Sequence, residues 1–222
     1  MARFVFWIAR LVIAFIVLSL LAVALWRFVP VPYTLTMAMD ENAVTSDWEP
    51  LARIDRNMVS AVIAAEDGKF CSHDGFDVEA IEQALEERAS GGRERGASTI
   101  SQQTAKNVFL WQGGGWVRKG LEAWFTFLIE NLWTKRRIME VYLNIAETGI
   151  GTYGVEAGSQ RYFQHSAARL SPDEASRIAA VLPSPKKREA VNPTGFTRRY
   201  GNTIEARIGV VRRDGLDACV YE

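Results

Sequence analysis

The sequence predicts a mainly α domain preceded by one transmembrane helix. Three observations predict it: an apolar run close to the N-terminus, apolar positions recurring at helical spacing through most of the remaining chain, and capping patterns in front of several of those stretches, with no convincing series of strands between them. Setting the first 29 residues aside leaves about 190, enough for one compact domain with its own core and too few for a comfortable second one.

Phe4 to Trp26 is apolar apart from Arg10, and Leu11 to Trp26 holds no charge and a single hydroxyl, Ser19. At ~1.5 Å rise per residue this run reaches the ~30 Å of a bilayer's hydrocarbon, with Arg10 near the end where its stem can snorkel. No A-x-A-like site follows, so the segment reads as an uncleaved anchor, with a buried core helix as the alternative. Arg3 and Arg10 precede the run and only Arg27 follows closely, which places the N-terminus in the cytoplasm and the bulk of the chain outside. Residues 1–29 are thus expected as cytoplasmic N-terminus and anchor, 30–50 as a connector entered through Pro30 and Pro32 without a clear period, and 51–222 as the domain.

Asp55 is placed to cap a helix with Met58, Val59, Val62 and Ile63 on one face, stopped by Gly68, so that Glu66 and Asp67 fall in its last turn. Asp77 can cap a second, with Val78, Ile81 and Leu85 on one face, ended by Gly91-Gly92. Thr99-x-x-Gln102 is a capping box opening a helix that carries Gln102, Gln103 and Lys106, broken at Gly113-Gly114-Gly115. Further helices are expected over Trp116 to Trp133, through Ile138, Val141, Tyr142 and Ile145, over Gly154 to Phe163, and from Ser171-Pro172-Asp173-Glu174 to before Pro183.

Lys+Arg and Asp+Glu balance at 26 each, so no global basic field recruits nucleic acid, and any anion site must be local. Cys71 and Cys219 make neither a disulfide framework nor a zinc spacing, and whether they pair stays open; an oxidising compartment is permitted. Ser184-Pro185-Lys186-Lys187 fits S-x-x-K, but no K-T-G follows, which argues against transpeptidase chemistry.

A carboxylate in a helix's final turn sits at the negative end of the macrodipole, which costs a few tenths to ~1 kcal/mol and favours the protonated form. Glu66 and Asp67 carry that handicap, which suits a base for a sugar hydroxyl; a surface acidic pair is the alternative. Arg118, Lys119 and Glu122 share one helix face by their spacing, either as an exposed salt-bridge cluster or as a site for an anionic group such as a diphosphate.

Four motifs then resemble the signatures of the peptidoglycan glycosyltransferases, in that family's order. Glu66-Asp67-Gly68-Lys69-Phe70-Cys71-Ser72-His73-Asp74-Gly75 fits E-D-x-x-F-x-x-H-x-G, and Gly96 to Asn107 fits G-x-S-T-I-x-Q-Q-x-x-K-N. Arg118-Lys119-Gly120-Leu121-Glu122 fits R-K-x-x-E, and Lys135 to Asn144 fits K-x-x-I-x-E-x-Y-L-N. The resemblance implies a lysozyme-like domain with a larger lobe and a small membrane-proximal lobe, an active cleft between them, and location in a bacterial inner membrane with the domain periplasmic. It implies that lipid II is polymerised into β-1,4-linked glycan by an inverting displacement that releases undecaprenyl diphosphate. Glu66 is then the general base, and Lys106, Arg118 and Lys119 stabilise the leaving diphosphate. Glu122 orients those cations or helps hold a divalent cation, Mg or Mn, with no cofactor obligatory. Ser98, Thr99, Gln102 and Gln103 line the donor side, and Asp67, Phe70, His73, Asn107 and Lys135 complete the expected substrate-binding set.

Partners implied are lipid II, the growing lipid-linked glycan, the membrane, and other cell-wall synthesis or division proteins. Gly113-Gly114-Gly115 departs from relatives that often carry a basic residue between the second and third motifs. Phe70, Phe76, Phe109 and Trp111 are candidates for dipping into the membrane interface, with a core role as the alternative. Rival readings are a lysozyme-like glycan-cleaving enzyme and a non-catalytic membrane-anchored scaffold that binds lipid II.

Overall fold

A computed structural model of the chain describes residues 1–91 and 96–222. The apolar run forms α1 (Ala2–Phe28), a helix long and apolar enough to cross a membrane, with side chains that are mostly exposed along its length. α1 does not stand free of the domain. Phe15 lies 6.2 Å from the Trp124 ring, Trp133 Nε1 donates to the Val23 carbonyl (2.8 Å), and Arg137 donates to the carbonyls of Trp26 (2.9 Å) and Val29 (2.6 Å).

The segment expected as a connector is folded into the domain. α2 (Leu35–Ala38) buries Met37, with Thr34 as its cap, and β1 (Thr45–Ser46) pairs in parallel with a strand more than a hundred residues later. A long-range pairing of two residues leaves no local period, which is why the sequence pattern is silent there.

α3 (Arg56–Glu66) begins at the Asp55 cap and buries Met58, Val59, Val62 and Ile63. It ends at Glu66 with Asp67 as C-cap, and Gly68 does not adopt the left-handed conformation expected of a helix stop. α4 (Val78–Ala89) starts at the Asp77 cap and is followed by Gly91 at φ +75°, while Gly92, the other half of the expected stop, lies outside the described residues. α4 buries none of its residues; Val78 and Leu85 are exposed, so the stripe read from its sequence faces a cleft rather than the core. α5 (Ile100–Phe109) opens on the Thr99–Gln102 capping box.

α6 (Trp116–Leu132) follows the glycine turn, and α7 (Lys135–Ile145) buries Ile138, Val141, Tyr142 and Ile145. β2 (Glu147–Gly149) and β3 (Thr152–Tyr153) complete a small sheet in the order β1-β3-β2, with β2 antiparallel to β3. α8 (Val155–Phe163) and α9 (Pro172–Val181) match expectation, α9 with its capping box. α10 (Gly195–Arg213) was not foreseen. Its Ile204, Ile208 and Val211 recur at helical spacing and pack it on α9 and α3. α11 (Ala218–Tyr221) is tied back by a Cys71–Cys219 disulfide.

One apolar core runs through α3, α5, α6, α7, α9 and α10, forming the larger lobe. α4 stands off as the smaller one. Phe70 is fully buried and Phe109 stacks on Phe125 at 4.5 Å, so the core role applies to both. Trp111, another of the four candidates, is exposed, as are Val78, Leu85, Trp116 and Val117.

Candidate active site

Glu66 is the last residue of α3, delivered by a helix whose Met58 to Ile63 are locked in the core. Its Oε2 accepts a hydrogen bond from Gln103 Nε2 (2.8 Å), and Tyr142 Oη donates to Gln103 Oε1 (3.3 Å), which sets the orientation of that amide. Oε1 is buried and has no partner among the described residues, although Glu66 as a whole keeps some exposure. Burial pushes the Glu66 carboxyl above its ordinary range, the Asp67 charge adds to the rise, and the Gln103 hydrogen bond with the Arg188 and Lys106 charges opposes it without cancelling it.

Lys106 lies one turn along α5 from Gln103 and makes no salt bridge among the described residues. Burial draws its ammonium below the ordinary lysine range, aided by the Arg118 and Lys119 charges, while Glu122 and Glu66 pull the other way. It is therefore the electrostatic link between the Glu66 carboxylate and a cationic cluster on α6. There, Arg118 Nη1 lies 2.6 Å from Glu122 Oε2, and Lys119 bonds to Glu122 Oε1. Glu122 is buried, and Arg118 Nε is a buried donor with no partner among the described residues. Gly113 and Gly114, at φ +76° and +84°, make the turn into α6, and a Cβ on Gly114 would stand 3.1 Å from that of Arg118.

Both oxygens of Glu122 are held by cations, and Lys106 lies nearby, so this donor set does not fit a divalent ion. Among the described residues no group of three or more His, Cys, Asp or Glu side chains could hold a metal.

Five of the residues expected in the substrate-binding set form a connected group next to Glu66. Asp67 is buried; its carboxylate meets His73 Nε2 at 3.0 Å and accepts the Ile100 N–H (3.0 Å) at the start of α5, where a negative charge suits the helix dipole. His73 Nδ1 accepts the Gly75 N–H (3.1 Å), so Nε2 bears the hydrogen donated to Asp67. Thr99 Oγ1 donates to the Gly75 carbonyl (2.7 Å). Lys135 donates to the His73 carbonyl (2.7 Å) and Glu130 (2.8 Å), with its ammonium 4.7 Å from the centre of the buried Phe70 ring. Asp67, Phe70, His73, Thr99 and Lys135 thus form a brace between the loop after α3 and the start of α5. The polar side-chain atoms of Asp67, His73, Thr99 and Lys135 are engaged within this brace and with neighbouring backbone and Glu130.

Six of the remaining expected residues line cavities. Ser98, Gln102 and Lys119 line a cavity of about 430 Å³ with Trp116 at the start of α6 and with Ile81 and Leu85 of the smaller lobe. Gln103, Lys106 and Asn107 line one of about 220 Å³ with Tyr142 and Glu147. Asn107 also accepts from Gln112 (3.0 Å). Sequence reading missed Tyr142 as the partner of Gln103, Arg188 as a cation felt by Glu66, and Tyr200, whose hydroxyl donates to the Ala65 carbonyl (2.7 Å). The Ser184–Lys187 run drew attention to the segment before Arg188 but for a different chemistry.

A family model described as Transglycosylase matches residues 34–208, most of the chain. The chain belongs to the transglycosylase family. A transglycosylase of this family from Caulobacter vibrioides is 50% identical over 99% of this chain and all of its own length. Relatives from Rhodospirillum centenum (48% identical; 92% of each chain) and Bdellovibrio bacteriovorus (51%; 97% of this chain, 90% of the relative) are equally similar. All three are named biosynthetic peptidoglycan transglycosylase. This mainly α transglycosylase has the lysozyme-like fold that its motifs imply, and the match starts at residue 34, inside the stretch expected as a connector.

Proposed function

We propose that the chain is a peptidoglycan glycosyltransferase that polymerises lipid II, a lipid-linked disaccharide-peptide, into β-1,4 glycan. The observation that carries this is the partnerless, buried oxygen of Glu66, coupled through Lys106 to the Arg118–Lys119–Glu122 cluster. Glu66 takes the proton from the 4-hydroxyl of the incoming sugar. That oxygen attacks C1 of the lipid-linked end of the growing chain, the C1–O bond to the diphosphate breaks, and the configuration inverts. The departing diphosphate carries the electron pair toward Lys106, Arg118 and Lys119, cations already held in place before it arrives. Glu122 is a positioning residue that holds Arg118 and Lys119 side by side. A divalent ion, where one takes part, would be held mainly by the substrate's diphosphate, whose charge it would help to neutralise.

α1 anchors the enzyme in the bacterial inner membrane, where its substrate's tail also lies, with Arg3 and Arg10 on the cytoplasmic side and the domain outside. The test is incubation of the solubilised full chain with lipid II and analysis of the products on a gel. Long glycan is the expected result. Shortening of added polymer without synthesis supports the glycan-cleaving alternative instead, and binding of lipid II without turnover supports a scaffold.

A further inference from the structure

Beside the site stands a partly buried acid that the reaction above does not use. Glu147 Oε1 has no hydrogen-bond partner among the described residues; the nearest cation, Lys186 Nζ, is 3.7 Å away and 3.2 Å from Asp40 Oδ2. Burial pushes the Glu147 carboxyl above its ordinary range despite that lysine. Glu147 lines the cavity of about 220 Å³ that holds Gln103, Lys106 and Tyr142, and also a neighbouring one of about 430 Å³ that ends at Tyr153, Lys186 and Lys187. Gln112 and Pro185 belong to both, so the two form one groove leading away from Glu66.

The outer part of that groove sets two carboxylates, Asp40 and Glu147, against two ammonium groups, Lys186 and Lys187. A diphosphate placed there would face both acids, whereas a group carrying an amine and a carboxylate finds a partner for each. Asp40 is already taken up by Tyr153 Oη (2.6 Å), Asn42 and Lys186. Glu147 alone has a buried lone pair to give. Its turn is rigid: a Cβ on Gly149 would stand 2.5 Å from Tyr162 Oη, and Asn144 is clasped to both backbone groups of Glu49 (2.7 and 2.9 Å).

We infer that Glu147 is a specificity-determining residue of the acceptor side, receiving the free amine of the stem peptide while the acceptor's reacting hydroxyl lies against Glu66. This rests on the glycosyltransferase reading. The experiment compares two lipid-linked disaccharides, one whose pentapeptide carries a free side-chain amine and one in which that amine is acetylated, on the full-length protein and on Glu147→Gln. The wild type is expected to lose about tenfold in kcat/KM on acetylation, mainly through KM, while Glu147→Gln handles both substrates alike at the lower level. A wild type indifferent to acetylation overturns the inference whether or not the variant folds. So does a variant that keeps the preference for the free amine, or one that slows both substrates by the same factor. No polymer from either substrate with the wild type overturns the glycosyltransferase reading itself.

Discussion

Replacing Glu66 with Gln separates what the carboxylate does for chemistry from what it costs the fold. The amide oxygen of the new side chain can still accept from Gln103 Nε2, so the contact at 2.8 Å survives, but no proton acceptor remains. Loss of a positioned general base lowers turnover by roughly 10²–10⁴-fold. The stability effect has the opposite sign. Wild-type Glu66 must be ionised with one oxygen buried and unpartnered, and a neutral amide in its place relieves about 1 kcal/mol. For a domain of this size that raises the melting temperature by about 2–4 °C.

Because the folded-state value of Glu66 is raised, its favourable contribution is complete below the ordinary carboxylate range and is lost as pH climbs through the raised value. The stability gap in favour of Glu66→Gln therefore opens between mildly acidic and alkaline pH and closes on acidification. Wild-type polymerisation runs the other way, falling as pH drops through that same raised value. Gel-resolved synthesis from lipid II and thermal melts from pH 4 to 8 measure both. A variant within tenfold of the wild-type rate, or one that melts progressively lower than wild type as pH rises, refutes the reasoning.

Glu122→Gln is expected to fail differently: it leaves Arg118 and Lys119 without their shared buried charge, so turnover falls at least about 100-fold and stability drops by about 2–3 kcal/mol, seen as a lower melting temperature. A near-normal rate there removes Glu122 from the mechanism. Reducing the Cys71–Cys219 disulfide, which closes a separation of 148 residues, should cost about 2–4 kcal/mol, and melts unchanged by reductant would contradict this. Gly154→Ala combines a left-handed φ of +85° with a Cβ 2.7 Å from the Asn144 carbonyl oxygen, so a loss of about 2–3 kcal/mol is expected in chemical denaturation. Wild-type stability in that variant would show the turn to be softer than drawn.

Local signals carried most of the helices. The Thr99–Gln102 and Ser171–Glu174 capping boxes mark the starts of α5 and α9 because the stabilising contacts lie within one turn of sequence. The pairing of Thr45–Ser46 with Thr152–Tyr153 has no such trace, and the stretch around it passes for a connector. α10 was legible in Ile204, Ile208 and Val211 but was not read. Within the site, motif matching brought Glu66, Gln103, Lys106, Arg118, Lys119 and Glu122 together. It carried no sign of the internal hydrogen bonds that join Asp67, His73 and Lys135, because those contacts form only when the loop after α3 meets the starts of α5 and α7. Tyr142, Arg188 and Tyr200 reach the site only through tertiary packing of α7, the segment after α9, and α10.

The clasp of α1 on α6 and α7 makes the anchor a bracket rather than a leash. Arg137, which grips the last carbonyls of α1, also pairs with Glu140, and Glu140 in turn receives the Leu51 N–H (3.0 Å), so one guanidinium joins the stalk to the doorway of the catalytic body. With α1 in a bilayer, as proposed above, a body so fastened would keep one height over the lipid, and each sugar would be added at the same distance from its surface as the one before.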